Sequence, residues 1–270
     1  MEGQWLENKT AIVTGGSSGM GKDIAITFAR HGANVVICGR SLERLQPAVE
    51  EISNSGGSAR AFECDVREPD KVNEMVQFAI REFGHIDILV NNAAGNFVVK
   101  SEDLSVNGWR AVENIVLNGT WYCSQAVGKH MIETGRGGSI LNMVATYAWT
   151  GSPGVVHSAS AKAGVVAMAK TLAAEWGHYG IRVNCIAPGP IEGTGGADKL
   201  WPNEQIKEAI LRGIPLRRLG KKEEISNLAL FLVSDYAAYI TGDVITADGG
   251  ASLNKGFLTQ WEQAGFDQTR

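Results

Sequence analysis

The chain has no run of 18 apolar residues anywhere in its 270 positions, so a membrane-spanning helix is not expected. It has no basic excess either. Lys and Arg number 25 against 29 Asp and Glu, for a formal net charge of −4. That balance argues against a general nucleic-acid binder, which needs positive charge to meet phosphates. The four cysteines, Cys38, Cys64, Cys123 and Cys185, form no Cys-x-x-Cys pair, and the histidines do not cluster. No metal site is expected from that spacing. Three of the four sit in apolar strand-like runs, which points to buried thiols in a reducing compartment. The opening residues Met1–Lys9 lack a basic segment followed by an apolar one, and the closing Asp-Gln-Thr-Arg matches no retention tail. A cytoplasmic location is therefore the expectation. There is no 20–50-residue repeat and no low-complexity linker.

Glycine is what the chain has in excess: 33 of 270 residues, about 12% against a usual ~7%. Inside an otherwise ordinary composition, 44% hydrophobic and 20% charged, this suggests tight turns and close backbone approach. Apolar runs alternate with helical patterns along the chain. Strands are expected at Ala11–Thr14, Asn34–Cys38, Ala59–Cys64, Ile86–Asn91, Gly138–Val144, Arg182–Ile186 and Val244–Thr246. Helices are expected at Gly21–His31, Leu42–Ser53, Lys71–Phe83, Val106–Ile132, Val155–Trp176 and Glu223–Ser234. Strands that are continuously apolar, rather than alternating, fit a parallel sheet covered on both faces. The pattern predicts an α/β fold: one doubly wound, Rossmann-type domain over residues 1–270, with about seven parallel strands and a tail at 251–270. The Gly- and Pro-rich stretch Gly189–Pro202 reads as a long loop of the kind that often covers a binding site.

The first strand runs into Thr14-Gly15-Gly16-Ser17-Ser18-Gly19-Met20-Gly21, and a helix follows. Glycines there let backbone N–H groups approach a pyrophosphate, and the helix N-terminus favours its charge. The spacing is T-G-x-x-x-G-x-G, which resembles the short-chain dehydrogenase/reductase family. Further matches follow in order: Asp65 after strand three, Asn91-Asn92-Ala93-Ala94-Gly95 after strand four, Asn118 in a long helix, and Pro188-Gly189-Pro190 after strand six. The resemblance implies a nicotinamide cofactor held by Gly15, Ser17, Ser18, Gly19, Met20, Gly21, Asp65, Val66, Asn92, Ala93, Lys162, Pro188, Gly189 and Ile191. It also implies a homotetramer.

Strand two ends in Cys38-Gly39-Arg40-Ser41, without the acid that would hold the ribose 2′-OH of NAD. A guanidinium at Arg40, with Ser41 beside it, suits a 2′-phosphate instead, so NADPH is the expected cofactor.

One departure matters more than the matches. Most of the family carries Y-x-x-x-K, whose tyrosine exchanges a proton with a carbonyl or alcohol. Here the lysine is Lys162, but the position four before it is Ser158. A serine hydroxyl is a poor proton-transfer group near neutral pH. Three readings stand: a relative without turnover that senses nucleotides, a carbonyl reductase with a relocated acid, or an enzyme that reduces a carbon–carbon double bond. Tyr147 after strand five and Asn96 after strand four are candidate hydrogen-bond donors for the last.

The constellation resembles the 2,4-dienoyl-CoA reductases most closely. The matching stretches are Asn96-Phe97, Thr146-Tyr147-Ala148, Ser158 through Gly164, Pro188 through Ile191, Val116 through Thr120, and Leu172 through Trp176. The resemblance implies NADPH-dependent conversion of a 2,4-dienoyl-CoA to a 3-enoyl-CoA in unsaturated fatty-acid oxidation. In that setting Tyr147 and Asn96 hold the thioester oxygen, Lys162 the nicotinamide ribose, and Ser158 assists. Arg67, Phe97, Ser105 and Lys199 match substrate contacts. The basic cluster Arg217, Arg218, Lys221 and Lys222 reads either as a contact for CoA phosphates or as a solvated approach to a helix.

Overall fold

The computed structural model describes residues 3–194 and 204–253. Seven strands form one all-parallel sheet in the order β3-β2-β1-β4-β5-β6-β7. They are β1 Thr10–Thr14, β2 Asn34–Gly39, β3 Ala59–Glu63, β4 Ile88–Asn91, β5 Gly138–Met143, β6 Ile181–Pro188 and β7 Val244–Ala247.

Side chains alternate across the central strands, and both faces are dry. Ala11 and Val13 of β1, with Val35 and Ile37 of β2, pack into one core with helices α1 (Gly19–Arg30) and α2 (Leu42–Asn54). Ile12, Val36 and Cys38 face the other core, beneath α3 (Pro69–Phe83) and α5 (Gly119–Thr134). The helix α7 (Val156–Trp176) covers β6 on that second face, and α9 (Lys222–Val233) lies against α1 on the first. This two-sided burial explains why the central strands read as unbroken apolar runs. All four cysteines are free and buried in the core.

The strand order reverses between β1 and β4. At such a switch point the loops leaving the two strands diverge and open a crevice at their carboxyl ends.

The expected helix Val106–Ile132 is not continuous. It divides into α4 (Val106–Glu113), one π turn (Asn114–Asn118) and α5. A π turn inserts one extra residue, which re-aims the side chains that follow and is common at functional sites. Short helices absent from the sequence reading include a 3₁₀ turn at Ser101–Asp103, α6 (Tyr147–Thr150) and α8 (Glu204–Gly213). Of the expected loop Gly189–Pro202, residues 195–202 lie outside the described residues. Ile191, within the described part, bridges to Gly220. Among the described residues, no helix is long and apolar enough to cross a membrane.

Candidate active site

The glycine loop is shaped by contacts that a side chain would destroy. Gly15 and Gly19 both have positive φ, 67° and 57°. At Gly21 an added Cβ would collide with the Asn92 side-chain amide and the Gly15 carbonyl. Asn92 explains the closeness, because its Nδ2 donates to the carbonyls of Thr14 (3.0 Å) and Gly15 (3.3 Å). Thr14 Oγ1 returns the bond, accepting from the N–H of Asn92 (3.0 Å) and of Ala93 (2.9 Å). The loop after β1 and the Asn-Asn-Ala-Ala-Gly run after β4 are thus stapled together across the switch point. The first turn of α1, carrying Gly19 and Met20, opens beside this staple.

A cleft of about 630 Å³ follows the ends of the first four strands. Gly15, Ser17 and Ser18 line it from the glycine loop; Arg40, Ser41 and Arg44 line it after β2. Asp65 and Val66 contribute after β3, Asn92 and Ala93 after β4. Its shape and its phosphate-ready N-terminus fit a dinucleotide.

The charge of this lining is decided by one ion pair. Arg67 grips Asp65 through Nε and Nη2, at 2.9 and 2.5 Å from the two carboxylate oxygens. The Arg67 guanidinium is the main reason the Asp65 carboxyl is held below the usual range, with Arg40 adding a smaller pull. Asp65 is therefore already neutralised, and Arg40 and Arg44 face the cleft as its positive groups. Arg44 was not anticipated from the sequence. The signal for it is the helix start: Ser41 is the N-cap of α2 and its Oγ accepts from the Arg44 N–H (3.4 Å), which sets Arg44 in the first turn of the helix at the cleft wall.

A second group of residues lies past the edge of this cleft, at the carboxyl end of β5. Tyr147 opens α6 and Ser158 is in the first turn of α7; Tyr147 Oη and Ser158 Oγ are 3.0 Å apart. Ser158 is buried and Tyr147 partly exposed. One turn further along α7, Lys162 is buried and donates to the Met143 carbonyl at the end of β5. Burial pushes its ammonium down to about 8, and Cys185 beneath it opposes that weakly.

Asn96 stands on the exposed loop after β4. Its Oδ1 accepts from the Phe97 N–H (2.9 Å), so the acceptor end of the amide is occupied and the NH₂ end is left to donate. Phe97 is 42% exposed beside it.

The other expected residues are placed less directly. Arg67 is bound to Asp65 near the cleft rather than standing apart from it. Ser105 is the N-cap of α4, its Oγ accepting from Gly108 N–H (3.0 Å). Pro188 ends β6, and Gly189 is pressed so close to Asp248 that a Cβ would stand 2.6 Å from its Cα. Ile191 lines a separate cavity of about 160 Å³ with Pro190, Leu216 and Gly249. Lys199 lies outside the described residues. In the basic cluster, Arg218 pairs with Glu224 (2.6 Å) and Lys221 caps α9.

A family model described as enoyl-(acyl carrier protein) reductase matches residues 15–252. The chain is 52% identical over 250 residues to a Bacillus subtilis protein named "Probable 2,4-dienoyl-CoA reductase [(2E)-enoyl-CoA-producing]", covering 92% of this chain and 98% of that one. It is 41% identical over 249 residues to the peroxisomal 2,4-dienoyl-CoA reductase [(3E)-enoyl-CoA-producing] of Danio rerio, covering 92% and 83%. Among solved structures, a short-chain dehydrogenase from Bacillus anthracis superposes with a TM-score of 0.88 at 56% identity, covering 93% of this chain and 99% of that one.

Proposed function

The chain belongs to the short-chain dehydrogenase/reductase family, and on that premise we propose that it reduces 2,4-dienoyl-CoA thioesters with NADPH. The observation that carries this reading is the Tyr147–Ser158 pair at 3.0 Å. Serine occupies the position four before Lys162, and a tyrosine hydroxyl reaches it from α6. The site therefore keeps a phenol and a lysine but holds the phenol from a different element. The curated relatives of similar length are named for dienoyl-CoA reduction, which supports the same substrate class.

The residues present fit the cofactor. The cradle at Gly21 leaves no room for a side chain, and Gly15, Ser17, Ser18, Gly19, Met20 and Gly21 would meet the pyrophosphate. Arg40, Ser41 and Arg44 would meet the 2′-phosphate; this favours NADPH over NADH. Asp65 and Val66 would flank the adenine. Asn92, Ala93, Lys162, Pro188, Gly189 and Ile191 would hold the nicotinamide half. Bound there, the cofactor supplies a hydride.

The protein's own groups act on the oxygen of the thioester. Hydride addition at C5 of a dienoyl thioester drives the conjugated electrons toward that oxygen. Tyr147 O–H and the Asn96 NH₂ donate to it and stabilise the developing charge, an arrangement of the oxyanion-hole kind. With the Tyr147 proton directed at the thioester oxygen, the Ser158 O–H donates to the Tyr147 hydroxyl oxygen and fixes its direction. Lys162 holds the ribose and adds positive potential. The oxygen takes no proton in the product, because the reduced group is a carbon–carbon double bond and the carbonyl re-forms; this is why the usual proton-donating tyrosine is dispensable.

Protonation at the α carbon gives the 3-enoyl thioester, the product we assign. A second reading, protonation at the γ carbon to a 2-enoyl thioester, is favoured by the printed name of the Bacillus subtilis relative. Phe97 and Ser105, with Arg67 and Lys199, belong to the acyl-CoA side of this reading. Assembly as a homotetramer, organisation as one domain, and cytoplasmic work on unsaturated fatty acyl-CoA belong to it as well.

The test is to mix the protein with NADPH and a 2,4-dienoyl-CoA. NADPH absorbance should fall, and the product mass should rise by two hydrogens. No turnover, with NADPH binding measured separately, would overturn the substrate assignment and return weight to a ketone substrate.

A further inference from the structure

The reaction also needs a proton on carbon, and the groups described so far all face oxygen or ribose. His157 is adjacent to Ser158 in the first turn of α7. Its residue is 1% exposed, and among the described residues neither ring nitrogen has a hydrogen-bond partner. A buried polar ring left unpaired costs free energy, so it invites an explanation. Its immediate neighbours in the site are satisfied: Ser158 with Tyr147, Lys162 with the Met143 carbonyl.

What covers His157 is Phe97. The two rings lie 4.5 Å apart at 48°. The loop carrying Phe97 is tied to the start of α7 by Val99 N–H donating to the Gly154 carbonyl (3.0 Å). Phe97 follows Asn96, the donor assigned to the thioester oxygen, and is itself 42% exposed. It can turn outward without opening the core. The imidazole is then uncovered beneath the loop that carries Asn96 and Phe97.

We propose that His157 is the acyl-side proton carrier: uncovered when Phe97 turns aside, its imidazolium delivers the proton that ends on carbon. This rests on the dienoyl-CoA reading above. Hydride addition at C5 (which reduces the thioester and oxidises the cofactor) places the electron pair on the conjugated oxygen. The carbonyl then re-forms, a carbon takes the proton as an N–H bond of the His157 imidazolium breaks, and the neutral imidazole is recharged by the one solvent proton that the overall reduction consumes. Tyr147 and Asn96 keep the oxygen throughout and release no proton. The side from which His157 delivers selects between the α and γ carbons. Burial lowers the titration of this imidazole.

The experiment compares the wild type with His157→Gln, which cannot titrate, and His157→Phe, which preserves packing against Phe97. The substrate is 2,4-hexadienoyl-CoA, with isomers of the product separated by chromatography. Loss of a proton-transfer group predicts a fall in kcat of about 10²–10⁴-fold, with NADPH affinity unchanged. It also predicts a changed ratio of 2-enoyl to 3-enoyl product as water takes over. Unchanged kcat and ratio in either folded variant overturn the proposal. A second measurement needs no variant and no turnover: the ring signals of the five histidines are followed by NMR while octanoyl-CoA is added. The His157 signal should move; if it stays fixed at saturation, the residue is a packing group and the proposal fails. A wild type that binds octanoyl-CoA yet ignores the dienoyl thioester would strike the functional reading instead, while the NMR result still decides where His157 acts.

Discussion

Tyr147 Oη lies 3.0 Å from Ser158 Oγ, joining a short helix after β5 to the first turn of α7. The serine is too weak an acid to replace a phenol, but its hydroxyl can hold one in place. The two residues should therefore differ in weight. Tyr147→Phe removes a donor to the developing oxyanion and should lower kcat by about 10²–10³-fold. Ser158→Ala removes one hydrogen bond to that donor, worth about 1 kcal/mol, and should cost roughly fivefold. NADPH affinity, read by fluorescence quenching, should hold in both. Equal losses would mean that Ser158 acts on the substrate directly.

Asn96 tests the same oxygen from the other side. Its Oδ1 is engaged by the Phe97 N–H at 2.9 Å, which leaves the NH₂ end as donor. Asn96→Ala deletes the donor and should lower kcat/KM by about 10²-fold. Asn96→Asp keeps the acceptor that Phe97 uses but sets a carboxylate beside developing negative charge. It should fall further than the alanine variant, and the gap should close at low pH as the carboxylate protonates. An aspartate variant more active than alanine would remove Asn96 from the oxyanion site.

Cofactor choice depends on the two arginines after β2. Asp65 is already neutralised by Arg67 at 2.5 Å, so Arg40 and Arg44 meet little opposition in the cleft. Hydrogen bonds to a charged group run about 1.5–3 kcal/mol, so Arg40→Ala should weaken NADPH by roughly ten- to a hundredfold. NADH, lacking the 2′-phosphate, should be nearly unaffected. Arg44→Ala should act in the same direction. Isothermal titration with both nucleotides measures the ratio; a parallel loss of NADPH and NADH would place these arginines outside the phosphate pocket.

The strands were legible because the sheet is parallel and dry on both faces, so each central strand is an apolar run. Their ends were less so, and β4 shows why. The apolar run starts at Ile86, yet the ladder starts at Ile88. Asp87 between them already bonds through its backbone, its N–H donating to the Thr10 carbonyl (2.9 Å) and its carbonyl accepting from the Ser139 N–H (2.8 Å), while its carboxylate accepts from the Thr10 N–H at 2.8 Å and draws in His85 at 3.0 Å, so backbone and side-chain bonds share this strand end. The π turn at Asn114–Asn118 could not be read, since one extra residue barely disturbs a helical apolar stripe. In the site, glycine and asparagine positions were visible because close approach permits few residues there. Arg44 was not, because its position depends on the Ser41 cap. Ser105 matched a substrate contact by order alone, while its local bond is that of a helix cap. His157 looked like any other helical residue until its covering ring was placed.

Lys162 links the site to stability through its burial. Its ammonium titrates near 8 in the folded protein against an ordinary 10.5, because burial disfavours the charge. The unfolded chain therefore binds the proton more tightly than the folded one. Below about pH 8 both states carry the charge, and the fold bears its full cost, about 3 kcal/mol as an upper bound. Between pH 8 and 10.5 the folded protein releases the proton first, so this cost shrinks and vanishes above 10.5. Lys162→Met should thus be more stable than wild type at pH 7, with the difference closing as pH rises toward 10.5. Urea unfolding of the two proteins without cofactor, from pH 7 to 10.5, measures it. The same proton loss should weaken NADPH binding by the wild type above pH 8, since the neutral amine no longer holds the ribose with a charge. Parallel stability curves for the two proteins would show that Lys162 carries no buried charge.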